Sequence, residues 1–564
     1  MRKIKKEDII IFLIMVVITC IVFAPLIEGH YATDTYNIYD KGYYTYATKN
    51  SLNDGRIFMG ILGLIVSALK IPIEVYSTLT LLGAIIISNI AVIILKNIIE
   101  KYKPAKNTLA KIIISIISYI TIFNFMYLDN MYFVENIIMA ISVLLFIKSA
   151  DILVEKNNKY LLKSGVLTIL GVLAYQGTIG LFFTYVVLFS ILKNDKNIKQ
   201  IIVDIIQSGI IGIISICVDL IAVKIIGQII GTKQTRYGKL SNIFTNIIFI
   251  FSQLINTLID TCDIFPKGVF IIYTILLGTI ILIYSIKNKK ENALIYEFLA
   301  IAIITIASAY IINLTTLTSF NTGRLKNPIG ALIGIIFIFI YVKTDIFERK
   351  TIFLNIALIT LITFTLVNTV NYLSIILQHK RVNQLEKEES SKIETYIENY
   401  EKETNIKINK IAKIRVRNSF QKGYFEEIKN DSKRGQKLLS EFVDYIFNIN
   451  NIEEINDFTS KIRFYIYYNS HAKKLDRFIN NYFSMPQGFS FRTISGIKGS
   501  TEKDLIKFFK SAPDYDVEPD YSSSNDNIYG ILYVTLFQFV LNNKYLIKKC
   551  KNCSKYFITD NPRI

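Results

Sequence analysis

Residues 9–27 read IIIFLIMVVITCIVFAPLI, nineteen positions without a charge. Lipid offers no hydrogen-bond partner to a bare backbone, so an apolar run of about twenty residues crosses the hydrocarbon core as a helix. The basic residues before it resemble the start of a signal peptide, but no small-residue cleavage site follows and many more apolar runs do, so it is read as a retained first span. Working outward, comparable runs lie near 78–97, 109–128, 133–152, 160–175, 177–193, 201–231, 267–286, 294–313, 327–343 and 352–376. The expected fold class is therefore all-α and integral to a membrane: a bundle of about eleven transmembrane helices, followed by a polar tail read as mainly helical.

Composition agrees with this. Of 564 residues, 52% are apolar and 19% charged, and the mean hydropathy stays at +0.39 although the last third is polar. A net charge of +19 could suggest nucleic acid, but the lysines cluster in short loops between apolar runs, so no nucleic-acid partner is expected. Trp is missing and Tyr numbers 35, which leaves Tyr as the interfacial anchor. The heavy use of Ile, Lys and Asn suggests an AT-rich bacterial genome, hence a bacterial inner or plasma membrane.

Orientation follows from the basic loops at 2–6, 96–111, 155–163, 193–199, 287–290 and 343–350. All of them are cytoplasmic only if Ile57–Leu69 is a surface helix and not a span. That stretch is short, holds Gly60 and Gly63, and is followed by Lys70 and Pro72. The predicted topology is N-in, C-out. Polar loops 28–56, 129–130, 231–267 and 315–327, with the bend at Tyr175-Gln176-Gly177, then face outward.

Polar groups are expensive at membrane depth, so their convergence on one side marks a site. Asp34 follows the first span near the membrane plane, where low dielectric raises a carboxyl pKa and suits it to take a proton from a hydroxyl; the plain alternative is a solvated loop carboxylate. Arg56 and Arg324 lie outside the basic clusters, and their guanidinium forks suit a phosphate, or else snorkel to headgroups. Glu135 enters a span behind Asp129 and Asn130. Tyr36 and Tyr175 offer stacking faces for sugar rings, or serve as anchors.

The outer-loop Asp after the first span, Asn53-Asp54-Gly55-Arg56 before a surface helix, the Leu173-Ala174-Tyr175-Gln176-Gly177 bend and the tail after the last span together resemble the bacterial and phage O-antigen glucosyltransferases of the Gtr type. The resemblance covers roughly residues 1–415. That family is similar in architecture to the GT-C glycosyltransferases. It implies transfer of a hexose, glucose first, from a polyprenyl-phosphate-linked donor to a cell-surface polysaccharide on the outer face. It also implies membrane lipids around the protein, and a donor synthase and a flippase as partners. The family's acidic motif is often two adjacent carboxylates; here the second position is Thr35, which makes Asp54 the alternative acid. By the same resemblance Gln176 and Arg324 join Arg56 as donor-site candidates, with Tyr36, Asp129, Glu135 and Tyr175 as sugar or acceptor contacts. No cofactor is demanded, although GT-C enzymes can use a divalent metal.

The expected division is a transmembrane transferase domain at 1–377, a charged helical tail at 378–415 and a separate soluble domain at 416–564. The last holds Cys550 and Cys553, whose Cys-x2-Cys spacing is half of a zinc site. It lacks two further ligands and reads as a truncated zinc ribbon, or as a site shared with another chain. The rival functional reading is a multi-spanning transporter or flippase for lipid-linked sugar. Such proteins are usually built from paired halves, and no internal repeat stands out here.

Overall fold

Each of the eleven apolar runs forms a helix, and four short ones stop at the same end of the bundle. The computed structural model describes residues 6–27, 33–193, 197–231, 242–266, 268–287, 293–316, 322–349, 351–404, 411–415, 545–549 and 556–560. Its helices are α1 (Lys6–Ile27), α2 (Thr33–Tyr46), α3 (Ile57–Leu69), α4 (Ile73–Tyr102), α5 (Thr108–Ile122), α6 (Leu128–Met131), α7 (Asn136–Glu155), α8 (Tyr160–Tyr175), α9 (Gly180–Lys193), α10 (Ile198–Ile230), α11 (Asn242–Asp260), α12 (Val269–Lys287), α13 (Ala293–Ser308), α14 (Ile311–Thr315), α15 (Asn327–Lys343) and α16 (Ile352–Thr404). Short helical turns at Ala47–Leu52, Gln176–Thr178, Thr261–Asp263 and Gly323–Leu325 connect them.

Local sequence sets many of the ends. The Asn107 side chain accepts from Ala110 N at 2.8 Å and opens α5, and Asn197 does the same for α10 through Gln200 N at 3.2 Å. Gly231 closes α10 in the left-handed region. Pro328 sits in the first turn of α15, where a missing N–H costs nothing.

Seven helices are long and apolar enough to cross a membrane: α1, α4, α7, α8 with its following turn, α10, α12 and the first half of α16. The other four expected spans, α5, α9, α13 and α15, have 14 to 17 residues. At 1.5 Å per residue they are about 21–26 Å long, short of a hydrocarbon core of about 30 Å. By length and composition seven helices qualify as spans, and the other four apolar helices fall below that length. Ile57–Leu69 is likewise a 13-residue helix, too short to span, and it runs unbroken through Gly60 and Gly63.

Two compact units divide the chain, one made of residues 1–28 and 43–373, the other of 29–42 and 374–564. Within the first unit, one end gathers the basic loops. Lys96 pairs with Asp8 at 2.9 Å and Glu100 at 3.0 Å, Lys101 with Asp151 at 2.6 Å, Lys103 with Glu348 at 2.9 Å and Lys156 with Asp204 at 2.8 Å. Lys343 meets Glu297 at 3.4 Å and Tyr284 donates to Asp345. Loops separated by up to 245 residues therefore share one face.

The opposite end is built differently. The short helices α5, α9, α13 and α15 stop there, and buried irregular backbone at 123–127, 176–179, 309–310 and 322–326 fills the remaining depth. Close packing allows this. In α15, Gly330-Ala331-Leu332-Ile333-Gly334 is a small-xxx-small motif: a Cβ on Gly330 would overlap the Asn124 amide, and one on Gly334 would overlap Thr121 of α5. From α16, Asn368 donates to Phe123 O at 2.8 Å, Asn371 donates to Ile264 O at 2.8 Å, and Tyr372 donates to Asn124 O. These side chains satisfy carbonyls that no helix uses.

α16 runs to Thr404, so the charged segment is helix from 379 to 404, whereas residues 411–415, expected within the same helical tail, are strand. Three short strands follow, β1 (Ile411–Arg415), β2 (Tyr545–Lys549) and β3 (Tyr556–Asp560), in the order β1-β3-β2. β1 runs parallel to β3 with Ile414 opposite Ile558, and β2 antiparallel with Ile547 opposite Ile558. The tail reads as mainly helical, but Tyr545–Lys549 are strand, where Leu-Ile beside Tyr suits a pleated pair. Cys550 and Cys553 lie outside the described residues, as does most of 416–544.

Candidate functional site

The 28–56 segment, expected as a loop, is mostly helical where described. α2 breaks at Gly42, whose φ of 78° lies in the left-handed region, and is followed by the Ala47–Leu52 turn packed on α3. Asp34 and Tyr36 lie on α2 in the second unit as helical backbone, and their side chains are outside the described set.

The remaining candidates all belong to the first unit, at the end away from the basic loops. Residues 53–56 form a tight turn: Arg56 N donates to Ser51 O at 2.9 Å, and Gly55 has a φ of 82°, a conformation that favours glycine. From the bend after α8, Gln176 Nε2 donates to the Asp54 carbonyl at 2.6 Å. The Arg56 guanidinium lies 5.7 Å from the centre of the Tyr175 ring. Thus Asp54, Arg56, Tyr175 and Gln176, far apart in sequence, form one connected patch.

Gly177 extends it. A Cβ there would come within 2.8 Å of Leu325 Cδ2, so the bend and the Gly323–Leu325 turn touch through the missing side chain. In that turn Arg324 N donates to Asp129 Oδ2 at 2.9 Å, and the Arg324 guanidinium sits 4.7 Å from the Phe133 ring centre. Burial pushes the Asp129 carboxyl above the ordinary carboxylate range, and the charge and backbone N–H of Arg324 oppose that rise. Asp129 and Arg324, read from separate loops, are direct neighbours. Glu135 points to a different neighbourhood: it and Glu74 raise the Tyr43 hydroxyl pKa, on top of burial, and the Tyr43 ring stands edge-on to Tyr76 at 5.3 Å.

Two charged residues that sequence reading passed over belong here. Lys326, fully buried, donates to Asn313 Oδ1 at 2.6 Å and Ala309 O at 3.1 Å, with its ammonium 3.5 Å from the Tyr310 ring centre. Burial lowers its pKa to about 7. Asp219, also fully buried, projects from α10 against Gly55: a Cβ on Gly55 would lie 2.7 Å from Asp219 Oδ2. An ionisable residue inside an apolar run was the available signal for Asp219. Lys326 offered only its place two residues after Arg324.

Buried polar atoms with no hydrogen-bond partner among the described residues cluster at the same place: Asp129 Oδ1, both amide atoms of Asn130, Gln176 Oε1, Thr322 Oγ1 and Asn327 Oδ1. Buried polar groups are ordinarily satisfied, so a concentration of open positions marks where water or a polar ligand belongs. Irregular backbone at membrane depth carries the same meaning, being tolerated where it is enclosed by protein or lines an aqueous cavity.

Residues 23–342, more than half of the chain, match the glucosyl transferase GtrII family. The chain belongs to that family. It is accordingly a glycosyltransferase of the membrane-embedded kind its apolar helices require, and the GtrII match takes in every candidate just described on the first unit. No curated protein and no solved structure matches it. Among the described residues no group of three or more His, Cys, Asp or Glu side chains gathers that could hold a metal, and no step is assigned to one.

Proposed function

We propose that this GtrII protein transfers a hexose, glucose by family, from a polyprenyl-phosphate-linked donor to a cell-surface glycan on the outer face of a bacterial plasma membrane that it crosses several times. One observation carries the reading: in a member of a glucosyltransferase family, Arg56, Arg324 and Lys326 are buried together with irregular backbone at the end of the bundle opposite the basic loops. Positive-inside bias makes that the outer end, where a lipid-linked phosphate has its headgroup.

Such a donor needs cations for the phosphate, and a low-dielectric site makes each of them count. Arg56 and Arg324 are forks that suit phosphate oxygens, and Lys326 is a point charge that can be switched on near neutral pH. The acceptor hydroxyl attacks the anomeric carbon as the bond from that carbon to the phosphate oxygen breaks. The electron pair leaves with the polyprenyl phosphate, the cations stabilise it, and the anomeric centre inverts. Asp34 is the proposed base that takes the hydroxyl proton, with Asp54 as the alternative; Asp129, Glu135, Tyr36 and Tyr175 are proposed sugar or acceptor contacts, and Gln176 holds the turn that bears Arg56.

The test is sugar analysis of surface glycans from cells with the intact protein, a deletion, Asp34→Asn and Asp54→Asn at equal membrane levels. Loss of one sugar substituent in the deletion and in Asp34→Asn establishes the transferase and its base. Loss in Asp54→Asn alone moves the base to Asp54, and an unchanged glycan in the deletion overturns the reading.

A further inference from the structure

α10 is an Ile-rich helix with a polar stripe turned inward. Asp204, Ser208, Gly212, Ser215 and Asp219 recur at three- and four-residue steps and are all buried, whereas Ile206, Ile210, Ile213, Ile221 and Ile225 are exposed. This is the reverse of a soluble amphipathic helix and suits lipid outside with polar packing inside. Asp204 explains itself at the basic end, where it meets Lys156 at 2.8 Å and accepts from Ser190 at 2.6 Å. Asp219 is fifteen residues on, about 22 Å along the axis, at the level of the candidate site.

Its carboxylate faces the 53–56 turn. Both oxygens crowd the place where a Gly55 Cβ would stand, at 2.7 and 3.0 Å, so the turn rests directly on them. From the other side Gln176 holds the Asp54 carbonyl at 2.6 Å. The turn is gripped between α10 and the 176–178 bend, and the residue it delivers is Arg56, over Tyr175. A buried carboxylate in an apolar helix is costly, and a hydrophobic residue would pack there at no such cost.

We propose that Asp219 is a positioning residue whose carboxylate braces the 53–56 turn so that Arg56 is held ready for the donor phosphate. The proposal rests on the reading of Arg56 as a phosphate ligand, but the brace itself is measurable without any sugar transfer.

The experiment is hydrogen–deuterium exchange on the full-length protein in lipid nanodiscs, read on peptides covering 51–60, together with donor KM and kcat in the same preparations. Asp219→Ala is expected to raise exchange at 53–57 at least tenfold and donor KM about tenfold while kcat stays within twofold. Asp219→Asn, equal in shape, is expected to restore protection and KM to within threefold of the parent. Asp204→Asn, at the far end of the same helix, leaves both unchanged. If Asp219→Ala does not accumulate, Asp219→Ser, which shortens the side chain but keeps it polar, is expected to give the same exchange increase. Unchanged exchange in Asp219→Ala, or an equal rise in Asp204→Asn, overturns the brace. Loss of kcat in Asp219→Asn with the turn still protected also overturns it, because the charge would then act in the chemistry. A wild-type protein that shows the exchange pattern but transfers no glucosyl group sinks the function and leaves the brace standing.

Discussion

The two ends of the first unit handle charge in opposite ways. At the basic end each buried acid sits beside a lysine: Asp8 beside Lys96, Asp151 beside Lys101 and Asp204 beside Lys156. Lys106 and Lys103 hold the Glu348 carboxyl below its usual range through hydrogen bonds. At the other end Arg324 lies against an aromatic ring and a carboxylate whose second oxygen is open, and Lys326 against an amide, a carbonyl and a ring. Neutralised charge holds elements together, and charge kept short of neutralisation is available to a ligand. The difference separates a stabilising end from the end proposed to bind the donor.

That separation can be broken by experiment. The largest effect is expected from Lys96→Met, which strands Asp8 and Glu100 in a buried setting and costs about 3–5 kcal/mol of stability. Thermal unfolding in detergent should show this, while the specific activity of the surviving protein stays at the parent level; a fall in specific activity would mean the basic end takes part in the chemistry. Next, Arg324→Ala should lower glucosyl transfer about 100- to 1000-fold, and Arg324→Lys should recover little of it because the planar fork is lost. Full activity in Arg324→Ala would remove the cation from the site.

A smaller, sharper effect concerns pH. With a pKa of about 7, the Lys326 amine is charged below neutrality and loses its charge above it. If the ammonium holds donor phosphate, donor KM should be flat below about pH 7 and rise by up to about tenfold per unit above it. Lys326→Met should show a high KM with that limb missing, and an identical limb in the variant would assign it elsewhere. The smallest effect is expected at Lys106, largely exposed beside Glu348: Lys106→Ala should change stability by no more than about 1 kcal/mol and transfer not at all.

How much of this was legible depended on which end was being read. The basic loops announced themselves because Lys next to a long apolar run has one physical meaning, and the helices between them followed from run length. Arg56, Arg324 and Asp129 were recognisable as polar groups outside the basic loops, and Asp54 and Gln176 through the family resemblance. Their contacts were not, since Gln176 meets Asp54 across 122 residues and Arg324 meets Asp129 across 195. The apolar runs read longer than the helices α5, α9 and α13 that form in them, because apolar irregular backbone such as Phe123, Phe125 and Met126 looks the same in a hydropathy window as another turn of helix. The Gly330-xxx-Gly334 motif could have shown that α15 packs closely on a neighbour, and Asp219 that α10 faces a polar interior.

By itself the sequence determined that this chain lies in a membrane, where its long helices run and which loops share a side, because burial in lipid and loop charge are properties of short segments. Only the tertiary structure decided where four helices stop, that a turn, a bend and a second turn from three distant segments join into one candidate site, and that Lys326 and Asp219 lie beside it. Those outcomes depend on which buried carbonyls, carboxylates and cations find one another across the bundle, and no local stretch of residues contains that information.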